Sequence, residues 1–441
     1  MVAGSPHRVL SVPPLPPVIL ACTEGEALRV RPLVLAAYAE ARALEWPFLS
    51  DVLERGLRSA AQTDRAAVTA AVHALARYDR LLGFAAQSES SADRFDALFA
   101  LVRGEVGELC ARLDRIELPT ERFGVAFSFP DWIVDRVRAE LGDAALAPAL
   151  TRMNETAPRV ARTNALRSTR EECLGALHDE GVEAKAALHL AHAIVIDGGR
   201  SPFRTQAFAR GDFEMQDEAS QLVADLVAPP PGSFVVDACA GAGGKTLALA
   251  ALLKGKGRVV ALDASESKLG ELARRARRAQ ASNVRPIAVD LLHPGERLRE
   301  FEGRASRVLL DAPCSGLGAV RRNPEARWRL RPADLARLGE AQGALLRAVA
   351  GLVAPRGRLI FATCSFFPSE GERPFERFLS ESSAFAPVTV RDVLGRARTA
   401  SVAARDGRYL RTWRFDGTLD GGDAGMDGFF AAIARRAASS A

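Results

Sequence analysis

Cysteine is scarce in this chain of 441 residues, standing only at positions 22, 110, 173, 239, 314 and 364. No two form a Cys-x-x-Cys pair and none has a histidine at zinc-finger spacing, so no metal site is expected. A disulfide framework is equally out of place in a cytosolic chain of this length. Free thiols remain, either buried or reactive. Long apolar runs are also missing, since none approaches the roughly 18 to 20 residues of a membrane span. The apolar start "VLSVPPLPPVILAC" is broken by four prolines, so it is not read as a signal peptide. The expected compartment is the cytoplasm, with no membrane partner. Lysine is far outnumbered by arginine, with a net charge of +5 and a pI near 9.0. Arginine's fork suits phosphate, but a GC-rich genome gives the same excess. The basic balance therefore permits nucleic acid without pointing to it.

The length suggests two to four domains, and 48% hydrophobic with 26% charged residues is ordinary for a globular protein. Residues 1–26 are Pro-rich and expected to be loosely ordered. From 27 to about 125 the pattern is helical. Leu49, Val52, Leu53 and Leu57 share one stripe, as do Val68, Val72, Leu75 and Leu82. "AQSESSAD" (85–92) reads as a loop. Residues 130 to about 225 are mixed: "DWIVDRVRAEL" and "TREECLGALHDEG" predict helices, and "AHAIVID" predicts a strand. Four arginines between 159 and 170 read as a solvated surface or a basic patch.

From 231 short apolar runs alternate with longer segments of 3.6-residue period, the pattern of βαβ units around a covered parallel sheet. Ligands bind beyond the carboxyl ends of such strands, and Asp237, Asp263, Asp290 and Asp311 fall there. The glycines of "CAGAGG" allow close backbone approach where the first strand turns into its helix. Three nucleotide readings compete. A Walker loop needs glycine five positions before its Gly-Lys-Thr, where Cys239 stands. A dinucleotide fingerprint needs glycine where Thr246 stands. An S-adenosylmethionine site needs neither, and its cationic sulfonium tolerates a ring of carboxylates. Asp263 is placed to accept from two ribose hydroxyls.

Cys314 follows the fourth strand and Cys364 the fifth, which brings two thiols to one rim beside the cofactor. One reaction class calls for that. Cytosine carbon 5 is too weak a nucleophile to take a methyl group unaided. A thiolate adding to carbon 6 activates it, a carboxylic acid near ring nitrogen 3 stabilises the adduct, and a base then removes the carbon-5 proton. The chemistry alone does not rank the two cysteines.

"DAPCSGLGAVRRNPEARW", "ATCSFFPSEGE", "DACAGAGGKT", "FEMQDEASQLVADL" and "DGFFAAIARR" resemble the RNA (cytosine-5) methyltransferases of the Sun/Fmu, RsmB-like family, over about 130–437. The helical 27–125 region resembles, more weakly, the NusB-like domain of the RsmB branch. The resemblance implies an α/β fold: a Rossmann-like methyltransferase sheet at 229–441, an α/β RNA-binding extension at 129–228 and an all-helical NusB-like domain at 27–128. It implies Cys364 as nucleophile, Cys314 in product release and Asp311 at the target base. Cys239, Ala240, Gly241, Ala242, Gly243, Gly244 and Lys245, with Asp263, Asp290 and Asp311, would hold S-adenosyl-L-methionine. The implied reaction forms 5-methylcytosine in 16S rRNA by a monomer. A tRNA substrate, or a non-catalytic RNA-binding assembly factor, are the alternatives.

Two departures stand out. The family's Ala-Ala-Pro-Gly-Gly is Ala240 to Gly244 with Ala242 for proline, which would loosen the loop. After Cys364 the chain reads Pro-Ser-Glu-Gly-Glu where the family has Pro-Glu-Glu-Asn-Glu. "RRNPEARWRLRP" (321–332) sets five arginines around Trp328, a pattern that suits flipped or single-stranded RNA, or else the surface start of a helix with a core tryptophan. "RRARR" (274–278) reads as a solvated helix face.

Overall fold

A computed structural model of the chain describes residues 15, 17–58, 60–399, 402, 406–415 and 425–438. Most of the Pro-rich 1–26 segment lies outside the described residues. A helix already begins at Glu24, because Thr23 and Glu26 form a reciprocal capping box. The chain divides into two compact units, one of residues 1–156 with 319–332, the other of 157–318 with 333–441.

The first unit is helical throughout its described residues. Leu49, Val52 and Leu53 on the helix Leu49–Gly56, and Leu57 just after it, are buried as their stripe predicts. Val68, Val72 and Leu75 are buried on Gln62–Arg77. Leu82 is also buried, but on a separate helix, Asp79–Ala86. The next helix begins at Ser91, capped by the Ser90 side chain, so the connection is shorter than 85–92.

The segment 319–332 belongs to this helical unit, which corrects the expectation of an RNA-facing platform there. Arg321 and Arg327 are fully buried. The Arg327 guanidinium lies over the Phe129 ring, 3.9 Å from its centroid. It donates to the carbonyls of Arg77, Ser128 and Met153, and to Asn154 Oδ1 at 2.7 Å. Trp328 Nε1 donates to the Ala76 carbonyl at 2.7 Å and its ring packs on Trp46. Arg321, Arg327 and Trp328 thus organise a core, while Arg322 and Arg329 are half-buried and Arg331 is exposed.

The second unit holds two sheets. The smaller is antiparallel, in order β2-β3-β1-β4, from β1 (Arg159–Thr163), β2 (Val182–Ala186), β3 (Ala193–Gly199) and β4 (Phe213–Met215). Of the four arginines between 159 and 170, Arg162, on β1, is buried and donates to Gln216. The larger sheet contains β5 (Phe234–Ala238), β6 (Arg258–Asp263), β7 (Val284–Ala288), β8 (Ala305–Asp311) and β9 (Val353–Thr363). These five run parallel. β10 (Phe385–Val388), β11 (Leu410–Arg411) and β12 (Phe430–Arg436) complete it, with β12 antiparallel to β9.

The order is β10-β12-β9-β8-β5-β6-β7. Strand residues alternate between two apolar layers. Val235, Val259, Leu309 and Ile360 enter one, and Val236, Val260, Val308 and Phe361 the other. Because the chain leaves β5 toward β6 and β7 and returns on its far side as β8 and β9, a crevice opens at the carboxyl ends of β5 and β8. The Rossmann-like expectation holds.

Candidate active site at the sheet rim

The loop after β5 begins with Cys239 at φ +61, then turns through Gly241 and Gly243 into the helix Gly244–Leu252. Gly241, at φ +55, faces open space, so a Cβ there would intrude on whatever the loop cradles. Gly243 is required for another reason. Its φ is +87, and a Cβ would lie 2.0 Å from Leu272 Cδ1. Asp263, at the end of β6, accepts from the Gly241 N–H and the Ser265 N–H, each at 2.8 Å. Each of its oxygens keeps a further lone pair for an incoming hydroxyl.

Alanine in place of proline does not leave this loop unsupported. Arg275 donates to the Ala242 carbonyl at 2.8 Å and, at 2.9 and 3.1 Å, to Glu214 Oε2. Arg278 binds the other oxygen of Glu214, a carboxylate 2% exposed. Two arginines of "RRARR" thus brace the loop, correcting the reading of that stretch as purely solvated; Arg274 pairs with Glu271 on the outer face. The bracing was not legible because Glu214 lies 61 residues away, on β4.

Lys245, expected among the cofactor residues, donates from Nζ to Asp311 Oδ2 at 2.6 Å and lies 4.9 Å from the Phe429 ring centroid. Burial works against its charge, but the touching Asp311 carboxylate prevails and holds its pKa above the ordinary value. Beneath the loop, Asp237 is fully buried and accepts from Thr246 Oγ1 at 2.6 Å. Burial is the main reason its pKa is pushed up to about 7. Asp290 behaves differently. Exposed beyond β7, it accepts from Leu292 N and pairs with His293 Nδ1 at 3.0 Å. The His293 bond, with the Leu292 N–H, holds its carboxyl below the usual range.

β8 and β9 pair so that Asp311 stands opposite Ala362, which brings the loops carrying the two thiols together. Cys314 Sγ and Cys364 Sγ are 3.3 Å apart. The hydrogen bond to Cys364, then burial, then the negative charges of Cys364 and Glu370 push the Cys314 thiol well up. Gly318 N donates to the Cys364 carbonyl at 3.0 Å, and Gln342 Nε2 to the Pro313 carbonyl at 2.9 Å. A shared proton between two sulfurs, beside an ion-paired carboxylate, equips this rim for nucleophilic addition followed by proton removal.

Residues 224–433 match the family described as 16S rRNA methyltransferase RsmB/F. Residues 129–201 match the ferredoxin-like domain of RsmF/B-like methyltransferases. A probable ribosomal RNA small subunit methyltransferase B of Synechocystis is 35% identical over 58% of this chain and 58% of its own length. The Bacillus subtilis protein of the same name is 33% identical over 62% and 61%. The chain thus matches about three fifths of the length of these curated relatives. The solved structure of PH0851 has a TM-score of 0.74 at 23% identity, covering 95% of this chain and 100% of that one. NSun6 from Pyrococcus horikoshii with SFG has a TM-score of 0.60 at 17% identity, covering 70% and 98%. At these identities the two structures establish the fold.

Proposed function

This chain belongs to the RsmB/F methyltransferase family, and we propose that it forms 5-methylcytosine in 16S ribosomal RNA through a covalent cysteine–cytosine adduct. The site fits S-adenosylmethionine. Gly241 opens onto free space beside the Asp263 carboxylate, an arrangement suited to a ribose. The acids around it suit a cationic sulfonium better than a phosphate. Cys239, Ala240, Gly241, Ala242, Gly243 and Gly244, with Asp263, would hold the cofactor, and Asp290 stands beyond them at the end of β7. When bound, S-adenosylmethionine supplies an electrophilic methyl group.

The chain's own residues do the rest. Cys364, as thiolate, adds to carbon 6 of the target cytosine and makes carbon 5 nucleophilic. Asp311, aimed by Lys245, steadies the proton that ring nitrogen 3 gains as the sulfur adds. Once Cys364 is bonded to the ring, its charge and its hydrogen bond no longer raise Cys314. Cys314 then loses its own proton to solvent and, as thiolate, takes the carbon-5 proton. The bond from carbon 6 to sulfur breaks, the electron pair returns to Cys364, and ring nitrogen 3 gives back the proton it had gained from water. The observation that carries this reading is two thiols 3.3 Å apart at adjacent strand ends, next to the Lys245–Asp311 pair.

Bisulfite sequencing of total RNA from a deletion strain tests it. One or more cytosines of 16S rRNA should lose methylation and regain it when the gene is restored. An unchanged pattern in all RNA overturns the reading, and loss confined to tRNA reassigns the substrate. In the purified protein Cys314→Ala should accumulate an enzyme–RNA adduct and Cys364→Ala should form none. The reverse would exchange their roles.

A further inference from the structure

Behind the two thiols lies a carboxylate for which the reaction has no use. Glu370 is fully buried. Its Oε1 accepts from the Ser315 backbone N–H at 2.6 Å, and its Oε2 accepts from Ser315 Oγ at 2.6 Å and Ser365 Oγ at 2.7 Å. Thr363 Oγ1 donates to the Glu370 carbonyl at 3.0 Å. Ser315 follows Cys314, and Ser365 follows Cys364. One carboxylate therefore holds the residue after each thiol.

Both serines pass the constraint along. Ser315 Oγ accepts from Leu317 N, and Ser365 Oγ from Phe367 N, each at 3.3 Å, closing each loop into a turn. A buried carboxylate is a costly way to join two loops. Three short bonds to one charged group offset much of that cost and fix both distance and direction.

We propose that Glu370 is a positioning residue that sets the spacing of the attacking and releasing thiols through Ser315 and Ser365. The proposal rests on the methyltransferase reading above. Glu370 is fully buried, and its carboxylate is bonded to the two loops that carry the thiols. It acts on a distance, and reactions of this kind are sensitive to shifts of about 1 Å, worth roughly 10²-fold in rate.

The full-length protein should be tested as Glu370→Gln, Ser315→Ala and Ser365→Ala, reading kcat, KM for RNA and cofactor, and adduct on denaturing gels. Glu370→Gln keeps the shape but removes the charge and sets an amide N–H against the Ser315 and Ser365 hydroxyls, which must then turn from donating to accepting. Its kcat should fall about 100-fold, with both KM values within twofold. Ser315→Ala should accumulate adduct, and Ser365→Ala should slow adduct formation without accumulation. A Glu370→Gln kcat within threefold of the parent overturns the proposal, as do serine variants that shift adduct the same way. If Glu370→Gln does not fold, the serine variants decide. If the parent transfers no methyl group to RNA, the function falls but the positioning question stays open to measurement. Alkylation by iodoacetamide, mapped to each cysteine, should then be several-fold faster at Cys314 in Glu370→Gln, and an unchanged rate overturns the clasp.

Discussion

Two of the molecule's buried cations, one in each unit, are satisfied in opposite ways. Lys245, at the sheet rim, meets a single carboxylate, Asp311, whose side chain is 29% exposed. Arg327, in the helical unit, meets the carbonyls of Arg77, Ser128 and Met153 and the amide oxygen of Asn154. Arg77 ends the helix Gln62–Arg77, and Met153 and Asn154 end Asp143–Asn154. Ser128 lies just past the end of Pro119–Ala126. Helix C-termini carry unpaired carbonyls and the negative end of the helix dipole. Arg327 therefore gathers three helix ends around one charge, whereas Lys245 aims one reactive group. A buried cation among carbonyls is an anchor, and a buried cation on a partly exposed carboxylate is a tool.

The largest effect that would break this comparison lies at Lys245. Lys245→Met keeps much of the apolar volume and removes the charge from Asp311. Methyl transfer should fall on the order of 10³-fold, the scale seen when a preorganised electrostatic contact is lost. The thermal midpoint should change little. If the midpoint drops and the remaining folded protein is fully active, Lys245 is the anchor and the contrast collapses.

Arg327→Met is the complementary variant. It strips three carbonyls and Asn154 of a donor inside a core, at a cost of about 3 kcal/mol. Hydrogen exchange of the amides in the three helices should accelerate about 100-fold, since it follows the stability of the helices they belong to. Cofactor affinity, measured by calorimetry, should stay within twofold, because no residue of the glycine loop belongs to that unit. Unchanged exchange would show that Arg327 is not what joins the helix ends.

The same contrast explains how much could be read from the sequence. The rim was legible: alternating apolar runs placed β5 to β9, and Asp263, Asp311, Cys314 and Cys364 stand where strand ends were expected. Each of these announces itself by its neighbours in the chain. The helical stripes were legible for the same reason, although the break at Tyr78 was not, because Leu82 keeps the period across it. Groups whose role is made by distant partners were misread or missed. Arg327 looked like a cation for phosphate because nothing nearby shows that Ser128 and Asn154 close over it. Arg275 looked solvated because Glu214 lies on another sheet. Glu370 was noticed only as part of a variant motif, since its bonds to Ser315 span 55 residues. A charged residue in sequence reads as surface until its partner is known.

The smallest effect sharpens the comparison from a buried carboxylate, Asp237, whose hydrogen bond comes from a neutral hydroxyl, Thr246 Oγ1. Burial pushes its pKa up to about 7, with the Thr246 hydroxyl and nearby Lys245 opposing the rise and Asp311 and Asp263 adding to it. The folded value is thus raised above the unfolded one, near 3.8. Below pH 4 both states hold the proton and Asp237 costs nothing. Between pH 4 and 7 the unfolded chain releases the proton and the folded chain retains it, so stability contributed at this position falls as pH rises. The slope is at most about 1.4 kcal/mol per pH unit, and it ends near pH 7, where the folded carboxyl ionises as well. Asp237→Asn removes the titration and keeps the shape. The stability of the variant relative to the parent, from denaturant melts at half-unit steps, should therefore rise steadily from pH 4 to 7 and level off above it. A constant difference across that window would mean that Asp237 titrates as an ordinary carboxylate, and that the floor of the glycine loop is wetter than its burial implies.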